Sequence, residues 1–366
     1  MTVGHERIDS LEVRLYKLTT KSHLRVGAGE GSVDISAADN PIIRALVYEV
    51  PEGGGESESK RVPYIPGSSL HGVIRSWVEK ALRSGSEPLS PEALKACLSQ
   101  LDDDDRKQII DKAKKEVKAL TGKDYEGEDK DDDKKKEDAW MEDWQVYVDV
   151  CDPMSEVDCC ERISAREVES RRWKEKWQKA IGRGTRGCKV CRIFGYTGQR
   201  GKVKITPAFP LKTEHGIPID IITRVAINRL TGAAEEGKLF DMEAIPPGVD
   251  FYFFTVLENL SEEEKADFEM GIRALSLQLA AVGAHSTIGF GMVEVERQFT
   301  AHINKAVFQK PVEDMVESIL TDKQFRRVVP LDENKYPRFF LALASENSNG
   351  QHPGFDSTVT YDSETE

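Results

Sequence analysis

The chain has 366 residues, of which 39% are hydrophobic and 31% charged, and its formal net charge is −13. That length supports one large domain or two small ones, with part of it spent on solvated surface or loop. No apolar run reaches the ~18 residues of a membrane-spanning helix, and the opening residues, MTVGHERIDSLEVRL, hold no apolar signal core, which points to a cytoplasmic chain.

Residues 10–19 (SLEVRLYKLT) alternate apolar and polar, as a strand does. Residues 20–41, rich in Gly, Ser, Ala and Asp, read as a loop, and 42–50 read as extended. A turn at 51–60 leads into PYIPGSSLHGVIRSWVEKAL. There Ser68-Ser69 suits a helix cap, and Leu70, Val73, Ile74, Trp77, Val78 and Leu82 fall at helical spacing. Helices are predicted at 91–101 and 105–120, and disordered or solvated chain at 121–137. An amphipathic helix with Trp173 and Trp177 is predicted at 161–181. Strands follow at GKVKITPAFPL, TRVAINRL, KLFDMEAI and DFYFFTVLEN, the middle pair forming a long hairpin with a flexible tip. A helix at 261–281 carries Phe268, Ile272, Leu275 and Leu279, and the loop GAHSTIGFG (283–291) precedes a last strand, MVEVERQF. The order of elements suits an α+β, ferredoxin-like (RRM-like) sheet with long insertions.

An acidic total argues against nucleic acid, but the charge is unevenly placed. Acidic runs lie at 102–137, while Arg171, Arg172, Lys174, Lys176, Lys179, Arg183, Arg186, Lys189 and Arg192 make a local basic stripe. Such a stripe holds a phosphate backbone or is simply a solvated helix face. The cysteines suggest zinc before disulfides. Cys188-x-x-Cys191 fits half of a tetrahedral site, and Cys159 or Cys160 with Cys151 completes it; His71 is another possible fourth ligand. Cys97 reads as a buried thiol. A closed four-ligand site leaves no position for water, so this zinc is structural.

Four segments carry a resemblance: ADNPIIR (38–44), YIPGSSLHGVIR (64–75), CRIFG (191–195) and Gly283 to Gly291. Their order and spacing resemble the RAMP superfamily backbone subunits of type III CRISPR effectors, over about residues 8–298. The resemblance implies a ferredoxin-like palm at 8–298 with an insertion at about 92–187 and a thumb β-hairpin at about 216–250. It leaves 299–366 as a C-terminal extension whose last ~20 residues are disordered.

It implies the partners: a guide RNA, a single-stranded target RNA and other effector subunits. The guide backbone would be met by Arg44, by Ser68, Ser69, His71 and Arg75 around one helix N-terminus, by Arg224 and Asn228 of the hairpin, and by Gly283, His285, Ser286, Thr287 and Gly289 of the glycine loop. His71 stands where the family often has lysine. Asp39 would cleave the target with Mg2+, holding the metal or biasing a 2′-hydroxyl for attack; Asp34 is a weaker candidate. Read alone, Asp-Asn-Pro is turn chemistry, Ser68-Ser69 an ordinary cap, and the hairpin an exposed hairpin. The rival functions are a scaffold that binds guide RNA without cutting, a guide-processing endoribonuclease using His23 or His71 as base, and a nucleotide-binding enzyme. The last lacks a strand–GxxxxGK[ST]–helix pattern.

Overall fold

The computed structural model describes residues 8–27, 40–49, 58–123, 139–160, 168–184, 187–196, 199–210 and 217–303. Expectations for 121–137 fall almost wholly outside these residues, and those for the C-terminal tail wholly outside. The chain divides into two compact units, Met1–Ile74 with Val203–Glu366, and Arg75–Lys202.

The first unit is built on an antiparallel sheet. Strand β1 (Leu11–Thr20) is central, with β10 (Asp250–Glu258) on one side and β11 (Val293–Ile303) on the other. Beyond β10 lie β6 (Val203–Ile205) and β7 (Phe209–Pro210). Leu11 pairs with Glu258 and with Ile303, and a bulge interrupts the β11 side between Leu15 and Tyr16. The predicted GKVKITPAFPL strand is two short pieces because Pro207 has no N–H to donate to a ladder. Leu15, Tyr16, Leu18, Phe251 and Phe253 are fully buried, and the paired Tyr16 and Phe253 rings stack at 5.2 Å. Helix α7 (Glu262–Ser276) follows β10 and packs on β11, burying Phe268, Ile272 and Leu275.

Its start is a reciprocal capping box between Ser261 and Glu264. It ends before the expected 281, because Gln278 takes a left-handed φ of 58°; Leu279, expected on the buried face, is exposed. Two ribbons complete this unit: β2 (Arg44–Glu49) with β3 (Glu58–Pro63), and β8 (Asp220–Ile227) with β9 (Ala234–Ala244). The latter is the predicted long hairpin, and Ile221, Val225, Ile227, Leu230 and Leu239 are exposed along it.

The unit boundary falls inside helix α1 (Gly67–Ser84). This helix starts at least two residues earlier than expected. Pro66 takes the cap position, its carbonyl accepting from the amides of Ser69 (3.0 Å) and Leu70 (3.3 Å), and the serines fall inside the first turn.

The second unit is helical, with α2 (Pro91–Leu98), α3 (Asp103–Thr121), α4 (Ala139–Asp143), α5 (Val168–Ala180) and α6 (Lys189–Phe194). Its core includes Leu94, Ile109, Val117, Trp140, Trp144, Trp173 and Trp177, and the Trp144 and Trp177 rings stack at 5.4 Å. The run Asp102–Asp105 is helix chemistry: the Asp105 amide donates to the Asp102 carboxylate (3.0 Å), capping α3, and the other acids favour its positive end.

The basic stripe is partly internal. Lys174, Arg183 and Lys189 are buried, and Lys176 pairs with Asp102 and Asp105. Lys176 and Arg183 are thus paired with acids of the same unit and not offered to a strand of phosphates.

Candidate functional site

In the first unit, the Asn40 segment and the glycine loop both dock on the base of the β8–β9 hairpin. The hairpin base supplies Met242, Ala244 and Ile222, against which Phe290 packs. Asn40 docks on β9 through the amide it donates to Asp241 (3.2 Å) and the amide its own carbonyl accepts from Glu243 (3.1 Å). Asp39 and Asp34 lie outside the described residues. The buried Glu243 carboxylate accepts from the Ile42 amide (2.9 Å) and from Arg44 (2.8 Å). Arg44, expected on a phosphate, is therefore in an ion pair that ties the Asn-Pro loop to β9.

The glycine loop is held by backbone. The Ala284 amide donates to the Arg25 carbonyl and the Gly291 amide to the His23 carbonyl, both at 2.8 Å. Gly283 (φ 84°) and Gly291 (φ 77°) lie in the left-handed region, where a Cβ would overlap the carbonyls of Arg25 and Val282. Between them Ser286–Ile288 makes a 3₁₀ turn closed by Gly289, leaving Ser286 and Thr287 exposed. His285 is also left-handed (φ 64°), with its ring 5.9 Å from that of Phe290. Partial burial and the nearby Arg25 and Arg224 hold it below the usual histidine range.

Arg224 stacks its guanidinium on Phe290 at 5.1 Å. His23 lies on the same ring at 5.8 Å, with Nε2 3.0 Å from Asp220. Asn228 is at the hairpin tip, where its side chain accepts from the Leu230 amide (2.9 Å) and donates to Glu235 (2.8 Å). It shapes the turn.

Of the residues around the start of α1, Ser68 is exposed, Ser69 and His71 are half-buried, and His71 has partners of its own. Arg75 points elsewhere. It donates to the Gly195 carbonyl (2.8 Å) and Glu79 (2.8 Å), and reaches the Cys191 sulfur at 3.6 Å.

That sulfur belongs to the second constellation. Cys151, Cys160, Cys188 and Cys191 are all buried, with sulfurs within 4.8 Å of one another. Cys188 caps α6, its sulfur accepting the Cys191 amide (3.4 Å), so the C-x-x-C spacing aims both sulfurs at one point. The Cys188 amide donates to the Cys160 sulfur (3.2 Å). Arg183 fixes the chain bearing the other two: it donates to the carbonyls of Val148 (3.1 Å), Val150 (2.9 Å) and Asp158 (2.6 Å) and pairs with the buried Asp158 carboxylate (2.8 Å). Burial, opposed by that guanidinium, pushes Asp158 up to about 6.

Hydrogen bonds from Cys151, Cys160 and Cys191 hold the Cys188 thiol below its ordinary value. A tetrahedral zinc with Zn–S of about 2.3 Å needs four buried sulfurs at such separations. The residues fit such an ion, and the four-cysteine cluster could bind a metal such as zinc. Cys159 is not part of it; its sulfur accepts from Lys174 (2.9 Å). His71 is not part of it either, and Cys97 is half-buried. Nothing in the sequence marks Glu243 or Arg25, since single charges carry no periodicity, and Arg183 stands there only as one member of the basic stripe.

The sequence model of the RAMP superfamily matches residues 17–294, and the chain belongs to that superfamily. A curated relative, "CRISPR system Cms endoribonuclease Csm3" of Methanothermobacter thermautotrophicus, is 36% identical over 66 residues. The match covers 18% of this chain and 22% of that protein's length. No described helix is long and apolar enough to cross a membrane.

Proposed function

We propose that this chain is a guide-RNA-binding backbone subunit of a type III CRISPR effector that cleaves complementary target RNA with Asp39 and Mg2+. The observation that carries this reading is that the Asn40 loop end and Phe290 of the glycine loop both dock on the base of the β8–β9 hairpin, at Met242. These are three of the segments on which the resemblance rests, or their neighbours. Superfamily membership and the relative's printed name support it.

On this reading the sheet is a ferredoxin-like palm, which its order β11-β1-β10-β6 with helices after β1 and β10 supports. The β8–β9 hairpin, with its exposed aliphatic residues, is the thumb that wedges between guide and target bases, and residues 92–187 are the insertion. Contacts to backbone and shape read no sequence, which suits a protein whose specificity comes from base pairing. Zinc is structural, because four thiolates leave no site for water. Asp39, next to Asn40 in sequence, holds Mg2+ or biases the 2′-hydroxyl for attack on the adjacent phosphate.

The test is a cleavage assay on the effector assembled with its guide, using labelled complementary RNA and Mg2+. Periodic cuts are expected from the wild type and none from Asp39→Ala, with target binding kept. Intact RNA with both proteins, target still bound, would mean a scaffold; lost assembly in the variant alone would make Asp39 structural.

A further inference from the structure

Arg75 stands on α1 with its guanidinium held on three sides. Nε donates to the Glu79 carboxylate one turn along the helix (2.8 Å), and Nη1 donates to the Gly195 carbonyl just beyond α6 (2.8 Å). Nη2 donates to the Cys191 sulfur (3.6 Å). Sulfur is larger than oxygen, so its donors sit farther away, and an ionised acceptor makes the stronger bond. A guanidinium is planar and rigid. Once the carboxylate and the carbonyl fix that plane, an Nη2 donor is aimed at Cys191. Arg75 and Glu79 are both largely shielded from solvent.

The other arginines at the cluster act on backbone. Arg83 donates to the Cys151 carbonyl (2.9 Å), and Arg183 to the carbonyls of Val148, Val150 and Asp158. Two of the sulfurs are met by backbone amides, Cys160 by that of Cys188 and Cys188 by that of Cys191. Cys191 instead meets a side-chain cation, and its sulfur lies 3.5 Å from that of Cys151.

Four thiolates around a divalent ion carry two negative charges in excess. Burying such charge is costly unless hydrogen-bond donors face it. Groups that hold a metal ligand from behind orient it and tune the metal. We propose that Arg75 is a positioning residue of the four-cysteine metal centre, aiming and stabilising the Cys191 thiolate while Glu79 and Gly195 hold Arg75 in turn. This rests on the structural-zinc reading above and goes beyond it. The family resemblance puts Arg75 among the RNA contacts; its three partners assign it to the metal.

The test uses the full chain as isolated, with zinc measured by mass spectrometry after equilibration against a chelator of known affinity. A second preparation, grown with Co2+, reports on the sulfurs by absorption. Arg75→Gln should hold zinc about tenfold more weakly. It should also move the sulfur-to-cobalt charge-transfer band to longer wavelength, because a thiolate without its donor gives up an electron more readily. Arg75→Lys keeps the charge and should recover part of the affinity. Glu79→Gln still accepts from Arg75 without offsetting its charge, so zinc should bind more tightly. Weaker zinc in both Arg75→Gln and Glu79→Gln, with the band unmoved, would make the pair a clamp of α1 and overturn the proposal. Wild-type affinity and band in Arg75→Gln would also overturn it and leave the zinc reading standing. A wild type that holds no zinc overturns both. Should Arg75→Gln fail to fold, Arg75→Lys and Glu79→Gln decide: wild-type zinc affinity and band in both would sink this role.

Discussion

In the second unit, irregular chain around Cys151 and Cys160 is fixed by side chains: one buried guanidinium taking several carbonyls, and a cluster of four thiols. In the first unit, the loop at 283–291 is fixed by backbone bonds, by glycines that admit them and by the buried Phe290, and Ser286 and Thr287 are left exposed. The first arrangement is held by side chains, the second by backbone. Arg75 and Arg183 are held by hydrogen bonds, whereas Arg224 beside the glycine loop rests on the Phe290 ring.

The largest test of that contrast is Cys188→Ser with Cys191→Ser. Structural zinc contributes about 10–16 kcal/mol in isolated finger peptides. Even with a tryptophan core in place, the double variant should lose its zinc and on the order of 5 kcal/mol of stability. Zinc content by mass spectrometry alongside a thermal melt checks this; unchanged zinc would remove the metal from the account. Next is Trp177→Ala, which opens a cavity in the helical core and should cost about 3–5 kcal/mol in denaturant unfolding. A loss under 1 kcal/mol would mean that the core is looser than its stacked rings imply. The smallest effect is Ser261→Ala, which removes the capping box of α7 in the first unit and should cost ~1 kcal/mol. It should leave zinc content untouched, and a change there would show that the two units do not respond separately.

Much of this was legible in the sequence, for local reasons. Alternation marked β1 and β11, helical spacing marked α1 and α7, and C-x-x-C marked half of the cysteine site. The choice of Cys160 over Cys159 was not legible, because neighbouring residues point apart and only the fold says which way. The fate of the basic stripe was also hidden: Lys176 meets Asp102 and Asp105, some 70 residues away in sequence. Arg75 was read with the helix start it follows, whereas its guanidinium is drawn to Gly195 and Cys191 by contacts that only the fold creates.

The central place of β1 has a consequence for synthesis. Its partners on β10 emerge about 250 residues later, and those on β11 later still. At roughly 5–20 residues per second, β1 waits on the order of ten seconds to a minute with Leu15 and Leu18 uncovered. The second unit, continuous from Arg75 to Lys202, is translated whole within that interval and can bring its four cysteines together while the sheet is still one strand. Ribosome pausing and chaperone capture should therefore bear on β1 first.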